Sequence, residues 1–547
     1  MNTQPSDTGA ELLRDASRVV LKFGGDNAGA FLGNMELVKA MLREGKKLAL
    51  VFSAIRSSHS SAAQFSLFDP KKDAKNASQF NTTSHLIEMA KAAQVGDFNE
   101  ANRWLNAVEE FTIFTVNQNL TGAVESDFSP EQGDLLQALQ SVIREECEKM
   151  RGFLREACEV PEKEKAGRFF GQGVNGEAVD RMFDSKGAQP SYVSFTGFGE
   201  DLAEKIYHTY FQKSDITSSA LEAGTISDAI FGENPREAIE RQNTIVDRVR
   251  KSVATKIEWC FKDTKVLISG GRLPGAAGSR GYSDVAAVVL AQAMEVNGET
   301  PLIWIAKQSP IKSRDPNLSP DAGEAQFVEC MSLPLAYELF ASNGAGAAAL
   351  HSDAVNLLRS GMNVVVGNPT ERESRLTWIS HDHKFDANGG YPPRVQVVAV
   401  TEVPQIIKVT SGDMVERPGV MGEILRTYRD IVVGHTHTDA FTITITLHSK
   451  ADQSLAEELE TLLQNFFDPN YRVEVIEGQA WVFCLGNDLG YGDKAQAYWV
   501  LAEHGFHSAF QTGSQYSFRV LVPKDKAPSL ARALHEEFFE KSDTLQV

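Results

Sequence analysis

Lys22-Phe23-Gly24-Gly25 places a lysine near the end of a short apolar run, Val19 to Phe23, and follows it with two glycines. Helical spacing of apolar residues resumes near Leu32. This order suits an anion. Glycines let a phosphate approach the backbone, a helix N-terminus offers unpaired N–H groups, and the lysine supplies positive charge. Turns of the strand-Gly-Gly kind also occur without any ligand, so the motif gains meaning only in company. A second segment, Ser279-Arg280-Gly281-Tyr282-Ser283-Asp284, follows a Gly/Ala-rich loop and opens an apolar helix, Val285 to Met294. Arg280 can grip a carboxylate as a bidentate fork, and Asp284 in the first helical turn can take an ammonium group. The same residues also read as an ordinary helix start, with Ser283 capping and Asp284 favouring the helix dipole. Spacing alone leaves both readings open.

These residues must be held by a scaffold, and the sequence outlines one. Val19–Phe23 and Leu48–Phe52 are short apolar runs separated by a helical stretch, and the second ends at Ser53. Further runs fall at Ser191–Phe195, Lys265–Ser269, Leu302–Ile305 and Asn363–Val366. Strand, helix, strand in this rhythm predicts a mainly parallel sheet in an α/β sandwich spanning 18–395. Thr83 to about Asp184 reads as mostly helical, and Arg56 to Gln79, rich in Ser, Ala and Lys, as a loop that is mobile or orders on binding. Residues 1–17 read as a disordered N-terminus.

Beyond residue 395 the texture changes. Ile406–Val409, a loop turning into a helix at Pro418–Ile424, the alternating strand Phe441–Thr446 and the helical Leu455–Phe466 form one set. A similar order recurs with Ala480–Phe483, Ala495–His504, Ser517–Val522 and Ala527–Phe539. Two ferredoxin-like α+β units of about 70 residues, 400–472 and 473–547, are the simplest account.

The bulk numbers exclude several classes. The net charge of −19 opposes unspecific attraction to nucleic acid or to an anionic membrane surface. No window approaches the roughly 18 consecutive apolar residues a membrane span requires. Cys147, Cys158, Cys260, Cys330 and Cys484 are scattered without a CxxC pair, which suits a reducing, cytoplasmic setting better than a disulfide framework or a zinc site. His435 and His437 flank Thr436 on a strand and share a face. A metal pair there is one reading, a surface or ligand-lining role the plainer one, and no metal site is assigned.

Taken in order, the motifs resemble the aspartokinases, particularly the fungal-type enzymes. The family's opening KFGG corresponds to Lys22–Gly25, its serine-ending strand to Val51–Ala54, and its threonine motif to Asn81-Thr82-Thr83. A GE pair opening a helix corresponds to Gly199-Glu200, the GRGxSD loop to Arg280–Asp284, and a later glycine, hydrophobe and histidine to Gly346, Leu350 and His351. The resemblance covers nearly the whole chain and implies that the two small units are ACT domains. It implies phosphoryl transfer from ATP, with Mg2+, to the side-chain carboxylate of aspartate or a close analogue. Lys22 and Asp284 would be the catalytic pair, with Lys22, Gly24 and Gly25 facing the phosphates. Ser53, Thr82, Thr83, Glu200, Arg280, Ser283 and Asp284 would bind the amino acid. An amino-acid effector such as lysine or threonine would sit near Met414, Val420, Met421 and Asp439, in a homodimer or larger homo-oligomer.

The sequence departs from the family mainly on the nucleotide side. Asp26 stands where the family has a small hydroxyl residue, Ser279 replaces the first glycine of GRG, and Gly367 replaces a lysine before Asn368. After Trp304 the chain reads Ile305–Pro310 without the family's acidic loop. Lys307, Lys312, Arg314 and Arg372 are the cations available to rebuild the pocket. The departures keep two alternatives beside an aspartate kinase: a kinase of a specialised biosynthetic pathway, and an inactive or repurposed amino-acid-binding regulatory protein.

Overall fold

The computed structural model describes residues 15–57, 64–68, 80–121, 130–159, 197–221, 242–271, 282–307, 309–314, 325–341, 350–368, 376–380, 395–411, 419–428, 433–438, 441–447, 450–467, 469–506 and 510–540. The chain divides into two compact units, Met1–Pro310 with Ala349–Asp382, and Ile311–Ala348 with His383–Val547.

The first unit is built on strands β1 (Arg18–Phe23), β2 (Lys47–Phe52), β5 (Ser218–Leu221), β6 (Val266–Gly270), β7 (Leu302–Ala306), β9 (Asn363–Gly367) and β10 (Thr377–Ser380). They lie in the order β5-β6-β2-β1-β7-β9-β10. Every pairing from β5 to β9 is parallel, and β10 is antiparallel to β9. The apolar runs read as strands because they are covered on both faces; β2, β6 and β7 are buried from end to end or nearly so. Beside them runs a short antiparallel ribbon, β3 (Arg56–Ser57) with β4 (Phe80–Asn81). The helices Thr82–Gln94, Phe98–Thr121 and Pro130–Glu159 follow in sequence, as the helical pattern after Thr83 predicts. The first is capped by Asn81, whose side chain accepts from the Ser84 N–H at 3.2 Å. The strand expected at Ser191–Phe195 lies outside the described residues.

The stretch Arg56–Gln79 is not uniformly loose. Arg56–Ser57 form β3, and the other described part, 64–68, is held by aromatic packing: Phe65 lies 5.0 Å from Phe114, and Phe68 lies 4.9 Å edge-on to His85 and 5.3 Å from Trp104. Composition pointed to a loop, and two phenylalanines inside it supply the anchorage that composition hides.

The second unit opens with β8 (Cys330–Ser332) and contains two four-stranded antiparallel sheets. One takes β12 (Gln405–Thr410), β13 (Val433–Thr438), β14 (Thr442–Leu447) and β15 (Arg472–Ile476) in the order β13-β14-β12-β15. With the helices Val420–Thr427 and Gln453–Phe466 this is a complete βαββαβ unit. The other takes β16 (Gln479–Gly486), β17 (Phe510–Gly513) and β18 (Ser517–Pro523), and completes itself with β11 (Val395–Val403), which pairs antiparallel with β16. Its order is β11-β16-β18-β17. The strands are therefore not divided consecutively between 400–472 and 473–547. The first α+β unit is inserted between the edge strand and the body of the second. The sequence gives no warning, because β11 and β12 are separated by a single residue and each is apolar in the same way. Each sheet has its own core, one around Val482, Phe518 and Leu530, the other around Ile407, Ile445 and Leu463.

Among the described residues no helix is long and apolar enough to cross a membrane. The five cysteines are all thiols.

Candidate functional site

The parallel strands of the first unit deliver their C-terminal ends to one edge, and β1 sits where neighbours depart to both sides, β2 on one and β7 on the other. Open parallel sheets bind ligands at such a switch point. Lys22 occupies this end of β1, opposite Val51 and Ile305. It is buried, and its Nζ lies 2.6 Å from Asp284 Oδ1. Asp284 is in the first turn of the helix Tyr282–Ala293, and its Oδ2 accepts from the His351 backbone N–H at 2.9 Å. The tertiary fold thus joins two motifs more than 250 residues apart in a buried ion pair. Such a pair near a strand edge fixes a cation in direction as well as in place.

A hydroxyl pair lies beside it. Ser53, just past β2, and Ser283, next to Asp284, have their Oγ atoms 2.8 Å apart. Gly271 lets the two elements approach: a Cβ there would collide with Ser283 Cβ and come within 2.9 Å of the Phe52 carbonyl oxygen. Thr82 donates its hydroxyl to the Ile55 carbonyl, which ties the threonine motif to the segment after Ser53, and Thr83 follows it, half-buried, in the same helix. Glycine is again required at Gly199, where a Cβ would meet Ala54 Cβ at 2.7 Å and Thr82 Cγ2 at 2.8 Å.

Glu200 and Asp201 lie in the first turn of the helix Phe198–Lys213. One turn on, the buried Glu204 accepts from the Gly270 N–H at 2.6 Å and so holds the end of β6. Sequence reasoning missed Glu204, although it stands four residues after Glu200 and therefore on the same helical face.

On the nucleotide side, Gly24 and Gly25 are where the motif places them. A Cβ on Gly25 would lie 2.8 Å from the Ala54 carbonyl oxygen and would strike the Arg56 side chain, so the turn is tight against β3. The backbone of Asp26 belongs to the short helix Gly25–Ala28. Lys307 follows β7, and its N–H donates to the Gly367 carbonyl at 3.1 Å, which joins the ends of β7 and β9. Lys312 and Arg314 belong to the second unit: Lys312 pairs across an isolated bridge with Phe327, over whose ring its Nζ lies at 5.8 Å, and Arg314 bridges to Val398. Arg280, Gly346, Arg372, Met414 and Asp439 lie outside the described residues. Val420 is buried and Met421 half-buried at the start of the helix Val420–Thr427, in the core of the first α+β unit. His435 and His437 both fall on β13. Among the described residues no group of three or more metal-ligating side chains is assembled.

A profile of the amino acid kinase family matches residues 17–368. That is well over half of the chain, and the chain belongs to this family. Its fold is that of the aspartokinases. Escherichia coli aspartokinase III in complex with aspartate and ADP (R-state) matches with a TM-score of 0.63 at 18% identity, covering 95% of this chain and 100% of that one. The same enzyme in complex with lysine and aspartate (T-state) gives 0.58 at 18% identity, covering 96% and 100%. Clostridium acetobutylicum aspartate kinase gives 0.55 at 14% identity, covering 95% and 100%. No curated protein sequence matches.

Proposed function

We propose that this chain transfers the terminal phosphoryl group of ATP to the side-chain carboxylate of aspartate or a close analogue, under control by an amino acid bound to its ACT units. The observation that carries the reading is the buried Lys22–Asp284 pair at the switch point of a parallel sheet, with the Ser53 and Ser283 hydroxyls beside it. A carboxylate with an ordinary pKa of about 3.9 is already ionised at neutral pH, so no strong general base is needed. The task is to hold two anions together and to offset the charge of the transferring group. Lys22 supplies that charge, and Asp284, itself fixed by the His351 N–H, holds the ammonium in direction. Ser53, Ser283 and Thr83 supply hydroxyls for the acceptor carboxylate, with Thr82, whose own proton goes to the Ile55 carbonyl, holding that segment in place, while Arg280 and Glu200 recognise its amino-acid end. Magnesium, when bound with the nucleotide, would screen the phosphate oxygens.

One observation favours a second reading. The loop after β7 carries no acid through Lys307, and Gly367 stands at the end of β9 where the family has lysine. A kinase of a specialised pathway, or an amino-acid-binding regulator without transfer activity, would tolerate those changes. The deciding experiment is hydroxylamine trapping with ATP, magnesium and a panel of acidic amino acids, beside Lys22→Ala. Lysine-dependent hydroxamate from aspartate is the expected result. Hydroxamate from an analogue alone would point to a specialised pathway, and none with any substrate from folded protein would overturn the kinase reading.

A further inference from the structure

Tyr207 sits on the helix Phe198–Lys213 and is wholly buried. Its ring stacks on Phe52 at 3.9 Å and on Phe31 at 5.0 Å, with Phe23 at 6.5 Å. Phe23 and Phe52 are the residues directly before Gly24 and Ser53, so the ring braces the ends of both β1 and β2. Its hydroxyl lies 2.8 Å from the Ala28 carbonyl oxygen and 2.6 Å from Asn34 Nδ2, and the same Nδ2 lies 2.7 Å from the Asn27 carbonyl oxygen.

Only one arrangement of protons satisfies these contacts. The Ala28 and Asn27 carbonyls can only accept, so Tyr207 donates to Ala28 and accepts from Asn34, whose amide nitrogen also serves Asn27. Burial pushes the Tyr207 phenol well above its ordinary range, so the donated proton stays in place. Two consecutive carbonyls of the Gly25–Ala28 turn are therefore held by buried side chains. One of these side chains comes from the helix that also carries Glu200 and Glu204.

We infer that Tyr207, with Asn34, is a positioning residue for nucleotide binding: it fixes the Gly24–Ala28 turn and links it rigidly to the helix that presents the amino-acid side of the site. The inference rests on the kinase reading for its ligand, but the geometry of the turn can be tested without it. Tyr207→Phe keeps the ring stack and removes only the hydroxyl. It leaves the Ala28 carbonyl unpaired in the interior and loosens Asn34.

The test combines two readouts on the full chain, well below its melting temperature. Hydrogen exchange of the Ala28 amide, which donates to the Gly24 carbonyl at 2.7 Å, should accelerate about tenfold in Tyr207→Phe while amides in β6 and β9 keep their rates. Calorimetric Kd for ADP–magnesium should rise by about tenfold, as should KM for ATP, with KM for the amino acid little changed. Asn34→Leu should act in the same direction, and the double variant should fall short of the sum of the two singles, because both act on one network. Unchanged exchange at Ala28, or accelerated exchange with unchanged ADP affinity, would overturn the positioning role. Failure of the wild-type protein to bind ADP at all would instead strike the kinase reading, a separate result that the exchange data distinguish.

Discussion

The Lys22–Asp284 pair lends itself to a double-variant cycle of Lys22→Met and Asp284→Asn. The side chains are only 4% and 5% exposed and their charged atoms are 2.6 Å apart. At an effective dielectric of about 20 the attraction is roughly 6 kcal/mol. Desolvating two ions costs several kcal/mol each, so the intact pair contributes little net stability. Removing one partner is different, because it strands a buried charge. Each single variant should lose about 3–5 kcal/mol, whereas the double variant, which strands none, should lie within about 1 kcal/mol of wild type. Asp284→Asn retains an oxygen for the His351 N–H, so that bond does not confuse the comparison. The measurement is native-state hydrogen exchange of β1 and β2 amides, which reports opening of the first unit by itself. All three variants should also fail to form hydroxamate. Single-variant losses below about 1 kcal/mol, or a double variant equal to the sum of the singles, would refute the idea that these residues form a coupled buried pair.

Burial holds the His85 pKa down to about 4, against an ordinary value of about 6.5. The unfolded chain therefore takes up this proton as pH falls through about 6.5 while the folded chain does not until about 4. Stability should fall across that window by about 3 kcal/mol at most relative to His85→Gln, as read from urea unfolding at several pH values; parallel pH curves would count against it. At Gly199, alanine would normally gain up to about 1 kcal/mol from helix propensity. Here the Cβ would sit against Ala54 and Thr82, so Gly199→Ala should instead lose about 1–3 kcal/mol by overpacking and raise the KM for the amino acid; a higher melting temperature would refute the close approach.

Much of the fold was legible in the sequence, because strands buried on both faces must be written as continuous apolar runs. Val19–Phe23, Leu48–Phe52, Leu302–Ile305 and Asn363–Val366 all became parallel strands of one sheet. The candidate pair Lys22 and Asp284 was legible as two local motifs, since a glycine turn and a helix start are short-range patterns. Their partnership was not. Asp284 reads locally as a group for an ammonium ligand or for its own helix dipole, and only the packing of the helix Tyr282–Ala293 against β1 turns it toward Lys22. Glu204, Asn34 and Tyr207 escaped notice for the same reason: a buried polar residue on an amphipathic helix looks like any other until its partner arrives from elsewhere in the chain. The nested order of the small units was likewise a tertiary decision. Val395–Val403 falls at the boundary between the two textures and was not legible as a strand from sequence; which sheet edge it completes depends on backbone groups that β16 leaves open 76 residues later.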